Sequence, residues 1–275
     1  MAYLYALVSM GALGLIFGLS LGVAAKKLAV KKDPRVDEIL GVLPGANCGA
    51  CGFPGCSGFA SAVAAGKAPV DGCPVGQAAV AHKVAAIMGV ECGDSQPKYA
   101  RVLCLGDRAN ASDLFRYEGI RDCRAAAMTG GGFKGCAYGC LGLGTCVAAC
   151  PFDAIHMSPN GLPVVDDSAC TGCGKCVRAC PRNIIELRTA EETVNVMCKS
   201  HARGPEVKQV CKVGCIGCGI CAKNCPEKAI AMHDNLAVID QSKCTRCGVC
   251  VQKCPVKCIK NGYPVTSETE IKEAV

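Results

Sequence analysis

The spacing of the cysteines constrains this chain more than any other feature. Close to the carboxyl end, the pattern Cys-x2-Cys-x2-Cys-x3-Cys-Pro occurs twice, at Cys215, Cys218, Cys221 and Cys225 and again at Cys244, Cys247, Cys250 and Cys254. Three thiolates two residues apart can bind three irons of one cubane, whereas the fourth, three residues on and followed by proline, binds the neighbouring cluster. The pattern therefore predicts two [4Fe-4S] clusters, one held by Cys215, Cys218, Cys221 and Cys254 and the other by Cys244, Cys247, Cys250 and Cys225.

A second pair of such runs lies upstream, and its first member is irregular. Standard spacing occurs at Cys170, Cys173, Cys176 and Cys180, whereas the preceding run has the spacing x3, x5, x3 at Cys136, Cys140, Cys146 and Cys150. We interpret the irregular run as a motif with four extra residues inside it. The same exchange of the fourth ligand predicts two more clusters, one held by Cys136, Cys140, Cys146 and Cys180 and the other by Cys170, Cys173, Cys176 and Cys150.

A fifth ligand set stands alone near the amino end. It has the pattern Cys-x2-Cys-x4-Cys, with a fourth cysteine after sixteen intervening residues, and consists of Cys48, Cys51, Cys56 and Cys73. The set lies in and after a glycine-rich loop, where backbone N–H groups can approach cluster sulfurs. Two alanine-rich stretches, 59–65 and 75–89, are expected to be short helices. We predict a single [4Fe-4S] cluster here, with a zinc site of the same four ligands as the alternative.

Disulfides and zinc explain the four full motifs less well. Cysteine makes up 26 of the 275 residues, a density that in a short secreted chain indicates a disulfide framework. However, cysteines two residues apart on one turn cannot each reach a separate partner without strain. A tetrahedral zinc site leaves the third cysteine of each triplet unused. Both are kept as minor alternatives to five [4Fe-4S] clusters.

Six cysteines follow no common ligand spacing; a sixth cluster assembled from some of them stays open as an alternative, but the sequence does not specify its ligands. Free cysteine is often a small buried apolar residue. That is what we expect of Cys92, Cys104, Cys123, Cys198, Cys211 and Cys258.

The amino terminus predicts a membrane helix. Residues 2–25 carry no charged side chain, and the stretch 4–25 would form a helix of roughly 33 Å, enough to cross a hydrocarbon core of about 30 Å. A cleaved signal peptide is the alternative, but no basic residue precedes the apolar stretch. The positive-inside rule places the amino terminus outside and the cysteine-rich body in the cytoplasm, because the basic residues follow the helix, at Lys26, Lys27, Lys31 and Lys32. A close contact with another membrane helix is expected along Gly14, Gly18 and Gly22.

Charge and motifs argue against other classes of function. The formal charge is +7, from 30 basic and 23 acidic residues, but each cubane with four thiolates carries roughly −2, so five clusters bring the chain to about −3. No basic run interleaved with aromatic residues supports nucleic-acid binding. We find no catalytic nucleophile, no paired general acid and base, and no flavin or NAD fingerprint.

These features predict an α+β chain with an N-terminal transmembrane helix, a small Fe-S domain and two tandem lobes resembling bacterial two-[4Fe-4S] ferredoxins. Short strand pairs are expected at 155–157 with 164–166 and at 230–233 with 237–240. The predicted order is the transmembrane helix 1–26, a linker 27–43, the single-cluster domain 44–95, a connecting segment 96–130, the first lobe 131–190, a linker 191–210, the second lobe 211–262 and a tail 263–275.

Three stretches together resemble one known family. They are Cys48-x2-Cys51-x4-Cys56-x16-Cys73-Pro, the run Tyr117-Glu-Gly-Ile-Arg-Asp-Cys123-Arg-Ala-Ala, and Cys136-x3-Cys140-x5-Cys146-x3-Cys150-Pro-Phe-Asp-Ala-Ile. After an apolar helix, this order is similar to the B subunit of Rnf complexes, nearly end to end. The chain departs from members with only one ferredoxin lobe, because it carries a second between Cys211 and Cys258.

The resemblance implies an electron-input subunit of a membrane-bound translocase, a ferredoxin:NAD oxidoreductase that couples electron transport to ion transport. Flavins and the NAD site would lie on other subunits. The iron–sulfur subunit of a different membrane enzyme, such as a hydrogenase or formate dehydrogenase, is the alternative within redox proteins, and a metal-folded scaffold without redox function is the alternative outside them. We expect soluble ferredoxin to dock on the basic second lobe, at Lys253, Lys257 and Lys260.

Overall fold

A single long helix precedes the cysteine-rich body. The computed structural model describes residues 2–27, 33–93 and 96–263. Helix α1 (Ala2–Lys27) has 26 residues, and its stretch Val8–Lys27 is long and apolar enough to cross a membrane, with none of it buried against the rest of the chain. Added Cβ atoms at the three predicted contact glycines would meet no atom within 4 Å. The predicted apolar helix is thus present, and of its four flanking lysines two, Lys31 and Lys32, lie outside the described residues.

Three helices form the small Fe-S domain. They are α2 (Pro34–Val42), α3 (Gly55–Ala64) and α4 (Gln77–Met88). Their core consists of fully buried apolar side chains at Ile39, Phe59, Val63 and Val84. Helix α2 begins after Asp33, whose carboxylate accepts the Arg35 N–H, and lies in the segment predicted as a linker. Because Ile39 is 0% exposed, α2 is packed as part of this domain.

The first ferredoxin-like lobe is closed by a strand from outside its predicted boundaries. Its elements are β1 (Lys98–Val102), α5 (Cys123–Met128), α6 (Thr145–Ala148), β2 (Ile155–Met157), β3 (Pro163–Val165), α7 (Lys175–Ala179) and β4 (Ile185–Thr189). Strands β2 and β3 form the expected hairpin. Strand β1 pairs antiparallel with β4, although β1 belongs to the predicted connecting segment.

The second lobe repeats this arrangement. It contains β5 (Val194–Val196), α8 (Gly204–Val210), α9 (Ile220–Lys223), β6 (Ile230–His233), β7 (Leu236–Ile239), α10 (Val249–Lys253) and β8 (Ile259–Asn261). The hairpin β6–β7 turns at Asp234 and Asn235, both with positive φ. Strand β5, from the predicted linker 191–210, pairs antiparallel with β8. Each lobe therefore consists of a central hairpin and an edge pair that joins its two ends.

Backbone contacts join the two lobes. Ala111 forms an isolated bridge with Cys211, the Ser112 N–H donates to Val210 O at 3.0 Å and the Lys212 N–H donates to Asn110 O at 2.8 Å. The Arg101 guanidinium of β1 lies 4.2 Å from the centroid of the Tyr263 ring beyond β8. These contacts bring the segments around Cys104 and Cys211 together. Beyond Tyr263, the predicted tail lies outside the described residues.

Candidate iron–sulfur sites

Four cysteine loops share one backbone conformation. Each begins with a cysteine and has left-handed residues two and four positions later, namely Gly142 and Gly144, Gly172 and Gly174, Gly217 and Gly219, and Arg246 and Gly248. Another residue with positive φ stands three positions after the cysteine of each Cys-Pro pair, at Asp153, Asn183, Lys228 and Lys257. Left-handed φ is uncommon for residues other than glycine, so its recurrence at fixed positions marks the same loop. The four loops begin at Cys140, Cys170, Cys215 and Cys244.

The first loop is therefore not expanded, and the predicted insertion of four residues is wrong. Counted from Cys140, the spacing to Cys146 and Cys150 equals that from Cys215 to Cys221 and Cys225. Leu143 occupies the middle position, where the second lobe has Cys218. Cys136 stands outside the loop.

A different cysteine takes the vacant position in this site. One cavity is lined by four thiols, those of Cys123, Cys140, Cys146 and Cys180, and Cys136 lines a different cavity. Burial raises the pKa of the Cys146 thiol to about 12, and the thiols of Cys123 and Cys180 contribute to this rise. The structure therefore does not bring Cys136 to the other members of its predicted set, and Cys123 lies with those three thiols instead.

Helix α5 positions Cys123 at its first residue. The Asp122 carboxylate caps the helix by accepting the N–H groups of Arg124 and Ala125. The Cys123 N–H donates to Thr145 Oγ1 at 2.6 Å, and that hydroxyl donates to the Asp122 carboxylate at 3.2 Å. Since Thr145 begins α6, these bonds fasten the start of α5 to the loop that carries Cys146.

The other set in the first lobe is brought together around the second loop. Burial raises the pKa of the Cys176 thiol to about 12, with further contributions from Cys170 and Cys173. The Ala100 N–H of β1 donates to Cys170 Sγ at 3.5 Å. Cys150 packs in the same core, where its Sγ accepts the Ala154 N–H at 3.4 Å.

Both sets in the second lobe surround cavities of their own. One cavity is lined by Cys215, Cys218, Cys221 and Cys254, and the other by Cys225, Cys244, Cys247 and Cys250. Each set takes three thiols from one loop and the Cys-Pro thiol of the other, which is the exchange expected of a two-cluster ferredoxin.

A fifth cysteine lies beside the first of these cavities. Cys258 is 2% exposed, and its Sγ is 3.7 Å from Cys254 Sγ. Hydrogen bonding from Cys258 lowers the pKa of Cys254 to about 5 and that of Cys215 to about 6. The expectation that Cys258 is a buried apolar residue therefore describes its burial but omits a hydrogen bond to two predicted ligands.

The small Fe-S domain holds its cysteines around the start of α3. Burial raises the pKa of Cys73, and the thiols of Cys51 and Cys56 raise it further, while the Gly76 and Val75 N–H groups lower it. The loop is fixed by Asn47, whose Oδ1 accepts the Cys56 N–H at 2.8 Å. A Cβ at Gly55 would lie 2.8 Å from the same oxygen, so glycine is needed there. Cys48, the fourth member of the predicted set, lies three residues before Cys51.

The donor chemistry of these sites fits cubane clusters. Within the described residues, no three His, Cys, Asp or Glu side chains lie close enough together to hold a single metal ion. A cubane spreads its thiolates over the corners of a larger core, so its site is wider than a mononuclear zinc site. Because burial raises the pKa of the Cys140, Cys146, Cys176 and Cys221 thiols, iron must displace protons when it binds them.

Comparison with known families gives three matches along the chain. Residues 43–75 match the family described as "Putative Fe-S cluster". Residues 137–187 and 214–258 each match a "4Fe-4S dicluster domain". Together they support [4Fe-4S] clusters in an Fe-S domain and two dicluster domains.

Several curated proteins are similar over most of the chain. The B subunit of the Na(+)-translocating ferredoxin:NAD(+) oxidoreductase complex of Acetobacterium woodii is 48% identical over 85% of this chain and 70% of its own length. The B subunit of the proton-translocating ferredoxin:NAD(+) oxidoreductase complex of Clostridium ljungdahlii is 50% identical over 86% of this chain and 84% of its own. The B subunit of the ion-translocating oxidoreductase complex of Methanosarcina acetivorans is 44% identical over 84% and 88%. At this identity and coverage, the chain belongs to the family of Rnf complex B subunits, the B subunits of ion-translocating oxidoreductases.

Proposed function

We propose that this chain is the membrane-anchored subunit that accepts electrons from reduced ferredoxin and relays them to the membrane subunits of an ion-translocating ferredoxin:NAD oxidoreductase. The observation that carries the proposal is the recurrence of one cysteine loop four times, with thiols from paired loops converging on shared cavities. When bound, [4Fe-4S] clusters supply one-electron carriers. The chain itself makes and breaks no substrate bond.

Five ligand sets support the cluster content. They are the four of the two lobes, with Cys123 in place of Cys136, and the set Cys48, Cys51, Cys56 and Cys73. The thiols determine where each cluster would bind, and backbone N–H groups donate to sulfurs such as those of Cys150 and Cys170. Such hydrogen bonds, together with burial and nearby charge, set the reduction potentials.

Membrane attachment through α1 follows from its length and its unburied apolar surface. Lys26 and Lys27 end the helix, so the positive-inside rule favours an amino terminus outside and a cysteine-rich body in the cytoplasm. Fusion of a reporter active only on one side of the membrane, placed at each terminus, tests this orientation. A cytoplasmic amino terminus would reverse it.

Ferredoxin is the proposed electron donor, and the second lobe is its proposed docking surface. Lys253, Lys257 and Lys260 are all exposed, and the last two line an open cleft beside the first lobe. An acidic donor would be steered there by the net positive charge of the second lobe.

Anaerobic purification of the full chain with its membrane partners tests the function. We expect at least about 20 iron per chain with matching acid-labile sulfide, EPR signals of reduced cubanes, and co-purifying subunits that contain flavin. Zinc, or iron that dithionite does not reduce, would contradict electron transfer. Molybdenum or nickel in the co-purifying subunits would favour the formate dehydrogenase or hydrogenase alternative.

A further inference from the structure

Four cysteines outside the five ligand sets meet between the two lobes. Their thiols line one cavity and belong to Cys104, Cys136, Cys198 and Cys211. The cavity encloses about 450 Å³, partly open to solvent, compared with about 370 Å³ at the Cys123 site and about 320 Å³ at each cavity of the second lobe. The space is thus at least as large as that at sites where the ligand spacing alone predicts a cubane.

The two lobes contribute to this cavity in the same way. Cys104 follows the end of β1 by two residues, and Cys198 follows the end of β5 by two. Cys136 precedes the loop cysteine Cys140 by four residues, and Cys211 precedes Cys215 by four. Each lobe therefore supplies one cysteine after its first strand and one cysteine before its first loop.

The hydrogen bonds at the sulfurs repeat as well. Cys104 Sγ accepts the Gly106 N–H at 3.4 Å and Cys198 Sγ accepts the Ser200 N–H at 3.5 Å. Each of these two sulfurs also accepts the N–H of the first loop cysteine of its own lobe. Cys140 donates to Cys104, and Cys215 donates to Cys198. Sulfurs held by several backbone N–H groups are characteristic of cluster ligands, and this pattern is not expected of isolated packing cysteines.

Glycine backbone lies close to three of the four sulfurs. A Cβ at Gly106 would lie 3.6 Å from Cys104 Sγ and 3.7 Å from Cys211 Sγ, so both sulfurs face one point. A Cβ at Gly139 or Gly214 would lie 3.5 Å from the Sγ of Cys136 or Cys211, respectively. Larger side chains at these positions would crowd the sulfurs.

A buried cation also faces the cavity. Lys134 lines it and is 7% exposed, while its ion-pair partner Asp113, at 3.3 Å, is 49% exposed. A buried ammonium is costly unless negative charge compensates it. Four thiolates on a cubane carry roughly −2 in total, which would supply that compensation from the cavity side.

We propose that these four cysteines bind a sixth [4Fe-4S] cluster at the junction of the lobes. The proposal rests on the proposed function only in requiring that the chain carries cubane clusters. A carrier at this position would connect the cluster pair of the first lobe with that of the second. It would also account for every cysteine of the chain as a ligand except Cys92 and Cys258.

The test removes one ligand from each lobe and compares the single variants with the double. In the full chain, purified anaerobically, Cys104→Ala and Cys211→Ala should each lower the content from about 24 iron and 24 sulfide by about four of each. The double variant should lose no more than either single variant, because both residues belong to one cluster. Cys92→Ala, which changes a cysteine outside every site, should retain the full content. In a reductive titration, the number of electrons taken up per chain should fall by about one in each single variant and in the double variant.

The outcomes separate this proposal from the function. About 20 reducible iron in the wild type, unchanged in both single variants, would overturn the sixth cluster and leave the function intact. Zinc lost from the variants would also overturn it. Additive iron losses in the double variant would overturn it too, because Cys104 and Cys211 would then serve different clusters. If a variant misfolds and loses most of its iron, the wild-type count, confirmed by Mössbauer quantification of cubane iron, still decides between six clusters and five.

Discussion

Leu143 accounts for the irregular spacing of the first cysteine motif. It occupies the loop position that Cys218 occupies in the second lobe, and it packs in the same apolar group as Cys123. A leucine cannot bind iron, so the missing ligand has to come from outside the loop. Cys123, the first residue of helix α5, lines the same cavity as Cys140, Cys146 and Cys180 and is our proposed replacement.

Returning the missing thiol to the loop should make Cys123 dispensable. We expect Cys123→Ala to lower the content by about four iron and four sulfide per chain. Adding Leu143→Cys to that variant should restore them, because it recreates the loop of Cys215, Cys218 and Cys221. Iron and sulfide analysis with EPR of the reduced protein measures both effects.

Leu143→Ala in the same background is the matched control, since it changes the same position without adding a thiol. It should leave the iron content low. Unchanged iron in Cys123→Ala would show that Cys123 is only a packing residue.

Cys258 is expected to tune a cluster rather than bind it. Its thiol contacts the sulfur of Cys254 at 3.7 Å, and hydrogen bonds to ligand sulfurs raise reduction potentials because they stabilise the more negative reduced state. A hydrogen bond worth about 0.5–1.5 kcal/mol corresponds to about 20–65 mV for one electron. Cys258→Ala should therefore lower the potential of the cluster predicted at Cys215, Cys218, Cys221 and Cys254 by that amount in an EPR-monitored titration.

Cys258→Ser keeps a hydrogen-bond donor and should produce a smaller shift. The neighbouring cluster predicted in the second lobe serves as the internal reference. Loss of about four iron in Cys258→Ala would instead identify Cys258 as a ligand.

At the level of elements, local patterns are predictable from the sequence and distant pairings are not. The hairpins β2–β3 and β6–β7 join neighbouring stretches with turn signals, such as Asp234 and Asn235, so their strands follow from sequence. Strand β1, in contrast, pairs with β4, the last strand of the first lobe, and most of that lobe's sequence separates the two. Nothing in so short a strand specifies such a distant partner, and the pairing of β5 with β8 cannot be predicted from sequence for the same reason.

The ligand sets show the same division. Ligand sets built on a loop with the standard cysteine spacing are predictable from that spacing alone. Cys104, Cys123, Cys198 and Cys211 meet their neighbours only after edge strands, helix α5 and contacts between the lobes bring them together. Two signals are nonetheless present in the sequence. If the standard spacing is aligned on Cys150 and Pro151, its cysteine positions are 140, 143 and 146, and only the middle one, Leu143, lacks a thiol. In addition, a cysteine stands four positions before both Cys140 and Cys215.

Helix α1 presents a surface that nothing in the described part of the chain covers. Added Cβ atoms at Gly14, Gly18 and Gly22 would meet no atom within 4 Å, and small residues at this spacing allow membrane helices to pack closely. We expect Gly18→Leu to reduce recovery of the assembled complex several-fold, while the iron content of the chain is retained. Co-purification with the membrane subunits and iron analysis measure the two quantities.

Ser20→Leu adds similar bulk about 200° around the helix and should assemble normally. Equal recovery of both variants would contradict a glycine contact face. A mature protein that begins near residue 26 would exclude the anchor itself.

At the scale of the whole molecule, charge is unevenly distributed. Residues 211–260 contain eight Lys and Arg against three Asp and Glu, a formal charge of +5. Two cubanes with thiolate ligands contribute roughly −4, so the second lobe keeps a charge near +1. The cleft lined by Lys257 and Lys260 is also lined by Arg101 of the first lobe, but Arg101 is 5% exposed and paired with Asp167, so the exposed positive charge of the cleft comes from the lysines.

Reversing charge on this surface should slow electron entry from ferredoxin. In the variant with Lys253→Glu, Lys257→Glu and Lys260→Glu, we expect reduction by an acidic ferredoxin at low salt to slow about tenfold or more, because long-range attraction becomes repulsion. The wild-type rate should fall as salt rises, and the variant rate should not. Stopped-flow reduction measures both, and a small neutral mediator should reduce the two proteins equally. Three exposed lysines outside the second lobe, Lys67, Lys83 and Lys98, changed to Glu together, make the same change in net charge and should have little effect. Equal slowing in both triple variants would mean that total charge governs the encounter, and unchanged rates in the first would place ferredoxin on another surface.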